Sequence, residues 1–384
     1  MSSKAPNSTH VCHDTISYAD WQRYFWIESL VRPRSSVARR LLRWYARNGR
    51  DLPWRHTADP YSLWVAEVML QQTQVATVIG YYERFLARWP TAASLAGARL
   101  DDVLKQWEGL GYYARARNLH RGAQTVVREH GGTLPRELEA LRRIPGIGRY
   151  TAGQLASAAF GADEPTIDAN IRRVLCRLFA VREDPRAPAV EARLWQHAAA
   201  ILPRGRAGDF NQALMDLGSE ICVPGRPRCL LCPLTSECLA YRAGLQAEIP
   251  VRIARKAVPH QFLAAGVVWK GGRVLIAQRA AEGLLGGLWE FPGGRVDEGE
   301  EAQTACQRQI AAETGVRASV GPFLIRVEHA YTHFRVTIDV FTCEYRSGIP
   351  KPLGAARVRW AWPGELHKFA WPAAPKQIVA QLSS

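Results

Sequence analysis

The sequence predicts a multidomain protein: an all-α region over residues 36–243, then an α+β region over 261–384, with a basic linker at 244–260 and an N-terminal extension at 1–35. Three observations predict it. Apolar residues recur at helical spacing from Ser36 onward, and after residue 260 they alternate with polar ones, as strands require. Where the helical pattern ends, Cys222, Cys229, Cys232 and Cys238 fall in the run ICVPGRPRCLLCPLTSECLA, separated by six, two and five residues, whereas Cys12, Cys176, Cys306 and Cys343 are scattered. Cysteines that merely fill a core have no reason to gather like this. Four thiolates hold either zinc or an iron–sulfur cluster, and ligand type alone does not choose. A zinc knuckle pairs two C-x-x-C hooks and this run has one, so the spacing leans to a 4Fe–4S cluster.

Composition narrows the function. A net charge of +15 and a pI near 9.8 point to a polyanionic partner, of which duplex nucleic acid is the commonest. No stretch of eighteen apolar residues exists, so no membrane span is expected. The opening MSSKAPNSTHVCHDT carries neither an export signal nor an arginine-rich amphipathic pattern, so a cytoplasmic protein without a disulfide framework is expected.

Residues 1–35 hold no interpretable motif. The aromatic cluster Trp21, Tyr24, Phe25 and Trp26 reads either as a short helix packing on the body or as sequence upstream of the true start. From Ser36, VARRLLRWYARNGR predicts a helix with Leu41, Leu42 and Tyr45 inward, ended by Gly49. After the turn DLPWR, Asp59 to Trp89 is apolar at helical spacing, and Glu67 lies in it among Val65, Val68, Met69 and Leu70, where a carboxylate is expensive to ionise. LDDVLKQWEGLGYYARARNLHRGAQTVV predicts helices on both sides of a break at Gly109 to Gly111. LRRIPGIGRYTAGQLASAAF predicts a helix, a tight turn and a second helix, with Gly146 and Gly148 letting the backbone approach a phosphate at the helix start. In EPTIDANIRRVLCRLFAV, Asp168 stands at a helix N-cap ahead of Ile171, Val174, Leu175 and Leu178. A cap role alone accounts for an aspartate there, and the helix dipole would also keep it anionic. Glu67 and Asp168 are thus an acid and an anion in opposed settings, the pairing used to cleave glycosidic bonds.

The order EVMLQQTQV, GLGYYARARNLH, IPGIGRYTAG, TIDANIRRVL and then the four cysteines resembles the endonuclease III superfamily, and within it the adenine DNA glycosylases of the MutY type, from about Ser36 to Ala243. The resemblance implies a helix-hairpin-helix glycosylase domain with DNA between two lobes and a 4Fe–4S cluster on the four cysteines. It implies that Glu67 protonates adenine and that Asp168 stabilises or captures the sugar cation. Tyr150 and Asn170 match further catalytic positions, Arg55 and Gln212 match the adenine pocket, and Gln72 and Tyr112 match residues that enter the base stack. The partner would be double-stranded DNA with an A:8-oxoguanine or A:G mispair, held by a monomer. Superfamily members that also cut the strand carry a lysine where this chain has Tyr150, and Lys105 is the only lysine between Ser36 and Ala243. Base removal without strand cleavage is therefore expected.

In the second region, FLAAGVVWKGGRVLIAQRA predicts a hairpin turning at Gly271 and Gly272, and HFRVTIDVFTCEY predicts an alternating strand. Gly294, Glu300, Arg308, Glu313 and Gly315 are in register with a Nudix box, but Gln309 and Ala312 replace two of its carboxylates, so metal-dependent hydrolysis is disfavoured. The Nudix-like domain of adenine glycosylases reads 8-oxoguanine with a Phe-Ser-His loop, and the matching residues here are Tyr331, Thr332 and His333. Two other readings stay open from the residues: an endonuclease III-type enzyme for damaged pyrimidines, and an iron–sulfur DNA-binding protein without catalysis. Tyr150 and the second domain argue against the first, and the presence of both Glu67 and Asp168 against the second.

Overall fold

The computed structural model describes residues 34–251, 258–331 and 334–382. Trp21, Tyr24, Phe25 and Trp26 lie outside the described residues.

The helical part has two apolar cores. The first gathers α2 (Pro60–Leu70), α3 (Val75–Arg88), α4 (Ala92–Ala96), α5 (Leu100–Gln106), α6 (Ala114–His130), α7 (Leu138–Arg143) and α8 (Arg149–Ala158) around Trp64, Met69, Phe85, Leu104, Trp107 and Leu119. The second joins α1 (Arg34–Asn48) to α9 (Ala169–Leu178), α10 (Pro188–Ile201), α11 (Ala207–Glu220) and α12 (Leu239–Arg242) around Leu41, Ile171, Leu175, Leu194, Phe210 and Leu217. Full burial of Leu41 is worth roughly 1.5–3 kcal/mol, which helps tie the first helix to elements that begin more than a hundred residues later.

The apolar run from Asp59 to Trp89 folds as two helices, because Gln71 leaves the helical region and Gln72 adopts φ 57°. No glycine or proline marks that break, so periodicity alone reads through it.

The C-terminal part is a mixed seven-stranded sheet in which β3 (Trp289–Glu290), β2 (Arg273–Gln278), β1 (His260–Lys270), β6 (Arg335–Ser347) and β5 (Arg317–Ala330) run side by side. β4 (Gly293–Arg295) pairs with β1 and β7 (Arg357–Ala361) with β2; β1 and β6 are parallel and the other pairs antiparallel. The β1–β2 hairpin turns at Gly271 and Gly272 as expected, both at positive φ. α13 (Ala302–Thr314) covers one face of the sheet through Ala305, Cys306 and Ile310, and α14 (Ala373–Leu382) covers the other through Ala374 and Ile378. β6 departs from the clean alternation expected of it, because Val336, Ile338 and Val340 face one core and Phe341 and Cys343 the other.

The sheet seats directly on the first helical lobe. Leu288 and Ala370 enter that lobe's core. Around them the Glu108 carboxylate accepts from Lys105 Nζ at 2.7 Å, Lys376 Nζ at 3.2 Å and the Trp371 backbone amide at 2.9 Å, while Arg117 donates to Gly286 O at 2.7 Å.

Candidate active site

Glu67 lies on a helix that is apolar on every side, with Leu63, Trp64, Val65, Ala66, Val68 and Met69 buried around it. It is 3 % exposed. Burial pushes its pKa up to about 7; the Tyr150 hydrogen bond pulls the other way, and the charge of Asp168 adds to the rise. Tyr150 stands in the first turn of α8, and its hydroxyl donates to Glu67 Oε2 at 2.7 Å with Met215 Sδ 3.6 Å away. Burial and the two carboxylates hold the phenol well above its ordinary pKa, so it stays a donor.

Asp168 caps α9, accepting from the Ile171 amide at 2.6 Å on Oδ1 and from Asn170 Nδ2 at 3.1 Å on Oδ2. Arg173 Nη2 in turn donates to Asn170 Oδ1 at 2.9 Å. Asn170 is pressed from behind by Gly218, where an added Cβ would meet the Asn170 Cβ at 2.7 Å. One expectation needs correction: the cap does not by itself hold Asp168 low. Burial raises its pKa, and the Ile171 and Asn170 donors limit that rise, leaving it short of the large shift at Glu67. Burial leads at both carboxylates, and the Ile171 and Asn170 donors offset it at Asp168.

Beside this group, Arg55 donates through Nε and Nη2 to Gln212 Oε1 at 3.0 and 2.7 Å. The same guanidinium grips Asp216 at 2.8 and 2.9 Å, and Arg50 reaches Asp216 from the backbone and the side chain at 3.0 and 2.7 Å. Burial would raise the Asp216 pKa, but the arginines hold it below the ordinary carboxylate range. Sequence reasoning missed Asp216, although it lies one helical turn from Gln212 on α11, the spacing that places two side chains on one face.

The turn between α7 and α8 places Gly146 at φ 85°, where a Cβ would strike the Asn118 Cβ at 2.9 Å; Gly148 is the N-cap of α8, and its Cβ position is open among the described residues. Gln72 and Tyr112 both sit in loops at positive φ, 57° and 48°. Tyr331 stacks on Phe334 at 4.7 Å and meets His329 edge-on, so its ring is engaged within the sheet domain. Thr332 and His333 lie outside the described residues. Of the Nudix-box carboxylates, Glu300 is ion-paired with Arg308 and Glu313 accepts from the Gly293 amide at 3.1 Å.

Cys222, Cys229, Cys232 and Cys238 are half-buried and sense one another's charge, and burial pushes the Cys232 thiol up to about 12. Sulfur atoms here receive N–H donors: Arg177 Nη1 to Cys222 Sγ at 3.2 Å and the Leu234 amide to Cys232 Sγ at 3.4 Å, contacts of the kind that tune metal-bound thiolates. Among the described residues, no three or more His, Cys, Asp or Glu side chains close on a single-ion site.

Residues 65–199 match the model of the HhH-GPD superfamily base excision DNA repair proteins, and residues 264–381 match that of the NUDIX domain. The helical fold with its hairpin, the buried acid and this match define a base excision repair enzyme. Human adenine DNA glycosylase is 36% identical over 394 residues, covering 88% of this chain and 72% of that protein. The adenine DNA glycosylase of Mycobacterium tuberculosis is 42% identical over 208 residues, covering 54% of this chain and 68% of its own. The solved structure of a thermostable thymine-DNA glycosylase superposes with a TM-score of 0.50 at 30% identity, over 55% of this chain and 97% of that one. The chain belongs to the adenine DNA glycosylase family.

Proposed function

We propose that the chain hydrolyses the N-glycosidic bond of adenine mispaired with 8-oxoguanine, or with guanine, in duplex DNA, and leaves the strand uncut. The observation that carries this reading is a buried carboxyl with its pKa near 7, hydrogen-bonded to Tyr150 and close in charge to the capped Asp168.

The adenine is first flipped from the stack, with Gln72 and Tyr112 filling the gap it leaves. Arg55 and Gln212, locked together over Asp216, line the pocket that receives the base. Glu67, which burial keeps partly protonated at neutral pH, donates to the purine and makes it a better leaving group. Positive charge then develops on the sugar, and Asp168 faces it as an anion steadied by Asn170. Tyr150 keeps Glu67 aimed and supplies no amine for a Schiff base. The hairpin at Gly146 and Gly148 grips a phosphate with the N-terminus of α8.

Cys222, Cys229, Cys232 and Cys238 would hold the 4Fe–4S cluster. The cluster would supply a rigid staple for the second lobe. The sheet domain, roughly residues 261–384, reads 8-oxoguanine through the Tyr331, Thr332 and His333 loop, and the protein works as a monomer in the cytoplasm, on the nucleoid.

Single-turnover assays on duplexes with adenine opposite 8-oxoguanine, guanine and thymine test the reading, each product being split into alkali-treated and untreated halves. Breaks only after alkali, fastest opposite 8-oxoguanine, are expected. Breaks without alkali would point to an endonuclease III-type enzyme, and binding without adenine release would leave a DNA-binding module.

A further inference from the structure

Gln72 and Tyr112 come from loops about forty residues apart, and both hold a left-handed backbone that is unusual for their residue types. Between the loops lies Arg115, in the first turn of α6 and 8 % exposed. Its Nη1 donates to the carbonyls of Val68 at 3.0 Å, Met69 at 2.7 Å and Gln71 at 2.5 Å. Its Nη2 donates to Thr73 Oγ1 at 3.0 Å, Leu110 O at 3.2 Å and Gly111 O at 3.1 Å. The guanidinium also lies 5.4 Å from the Tyr112 ring and 5.5 Å from Trp107.

These contacts have a common logic. The last carbonyls of α2 find no partner inside their own helix, and a cation at that end is favoured by the helix dipole. The flat fork of arginine reaches both loops at once in fixed directions, which a lysine ammonium does not. Burial lowers the Arg115 pKa to about 10, so it remains charged at neutral pH. None of the ion pairs among the described residues includes it. An apolar side chain here would strip six acceptors of their donor, so the site calls for a fork that holds both segments together.

We propose that Arg115 is a positioning residue for base flipping, setting the 71–73 and 110–112 segments at one spacing from each other and from the end of the Glu67 helix. The wedge that opens the base stack is then in place before DNA arrives. This inference rests on the reading that Gln72 and Tyr112 enter the stack.

The test uses full-length holoenzyme with matched iron content, as wild type and as Arg115→Lys and Thr73→Val. Two duplexes carry 2-aminopurine beside the target adenine, one with 8-oxoguanine opposite it and one with an abasic site, where the adenine has no partner to leave. Arg115→Lys should lose the fluorescence rise on binding and slow single-turnover excision opposite 8-oxoguanine by about 100-fold, the scale of an ångström-sized misplacement. Opposite the abasic site the loss should be much smaller. Thr73→Val, which removes one of the six contacts, should move both readings the same way by less. Equal loss on both duplexes, or loss that tracks a lowered melting temperature, would make Arg115 a fold residue and overturn the proposal. Gln72→Ala and Tyr112→Ala separate the premise. If neither alters the fluorescence, the base-stack reading fails; if both do and Arg115→Lys does not, only the role of Arg115 fails.

Discussion

The hydroxyl of Tyr150 donates to Glu67 Oε2 at 2.7 Å, a bond between the helix after the hairpin turn and a helix some eighty residues earlier. A donor to a carboxylate favours its charged form, so this bond restrains the rise that burial imposes on Glu67. Excision by the wild type should fall as pH rises through about 7, where the acid loses its proton. In Tyr150→Phe the restraint is gone, and the falling limb of the single-turnover pH profile should move to higher pH. An unmoved limb would mean that a different group sets it.

Glu67→Gln should keep duplex affinity and lose excision by about a hundredfold or more, the usual contribution of a positioned acid. Anisotropy titration alongside single-turnover kinetics separates the two effects. Near-normal excision by the variant would remove Glu67 from the chemistry.

The same side chain makes stability depend on pH. Its folded pKa of about 7 lies above the ordinary 4.5, so the native state holds the proton more tightly than the unfolded chain does. Its contribution is therefore fully present below pH 4.5 and is lost as pH rises to about 7. Glu67→Gln escapes that loss. Denaturant melts at pH 5 and pH 8 should show the variant gaining on the wild type by up to about 3 kcal/mol. A gap that does not change with pH would contradict a buried, proton-holding Glu67.

Asp216 has no exposed side-chain surface and carries two arginines, Arg50 and Arg55. Asp216→Ala leaves both cations without their partner and should destabilise the protein by roughly 3–5 kcal/mol. Arg55 would also lose the clamp that sets it against Gln212, so excision should fall further than duplex binding does. Urea melts and a comparison of kcat with KM check the two halves.

For the cysteine knot, Cys232→Ser or iron chelation should abolish visible absorbance, lower the iron and labile sulfide content together, and loosen the second lobe, which Arg177 ties to Cys222 and Ile249. Stoichiometric zinc with no sulfide in the purified protein would refute the cluster.

How far the sequence could be read depended on whether a feature is local. The helix–turn–helix at Gly146, the cap at Asp168, the break at Gly109 to Gly111 and the hairpin at Gly271 are set within a few residues, and each stands in the structure where its pattern places it. The candidate site was legible as residue types in motif order, not as a constellation. That Glu67, Tyr150 and Asp168 feel one another's charge depends on how three helices pack, and no spacing along the chain encodes it. The helix break at Gln72 was hidden because a left-handed glutamine carries no compositional mark. Asp168 was misjudged in direction because a cap is visible in sequence and its burial is not. The seam through Glu108 and Trp371 was invisible for the same reason, since it joins parts of the chain that sequence patterns treat as separate.

The second helical core unites α1 with helices that begin at Ala169. During synthesis the first helix therefore leaves the ribosome long before its partners exist, while the core around Trp64 and Phe85 draws only on the stretch in between, apart from the sheet's Leu288 and Ala370. The lobe encoded in the middle of the helical region can begin to condense first, and the segment ahead of it waits until the helices up to Glu220 have been made. Closure of the second core on the first helix is thus a late event in the making of the helical region, and the four clustered cysteines follow close behind it.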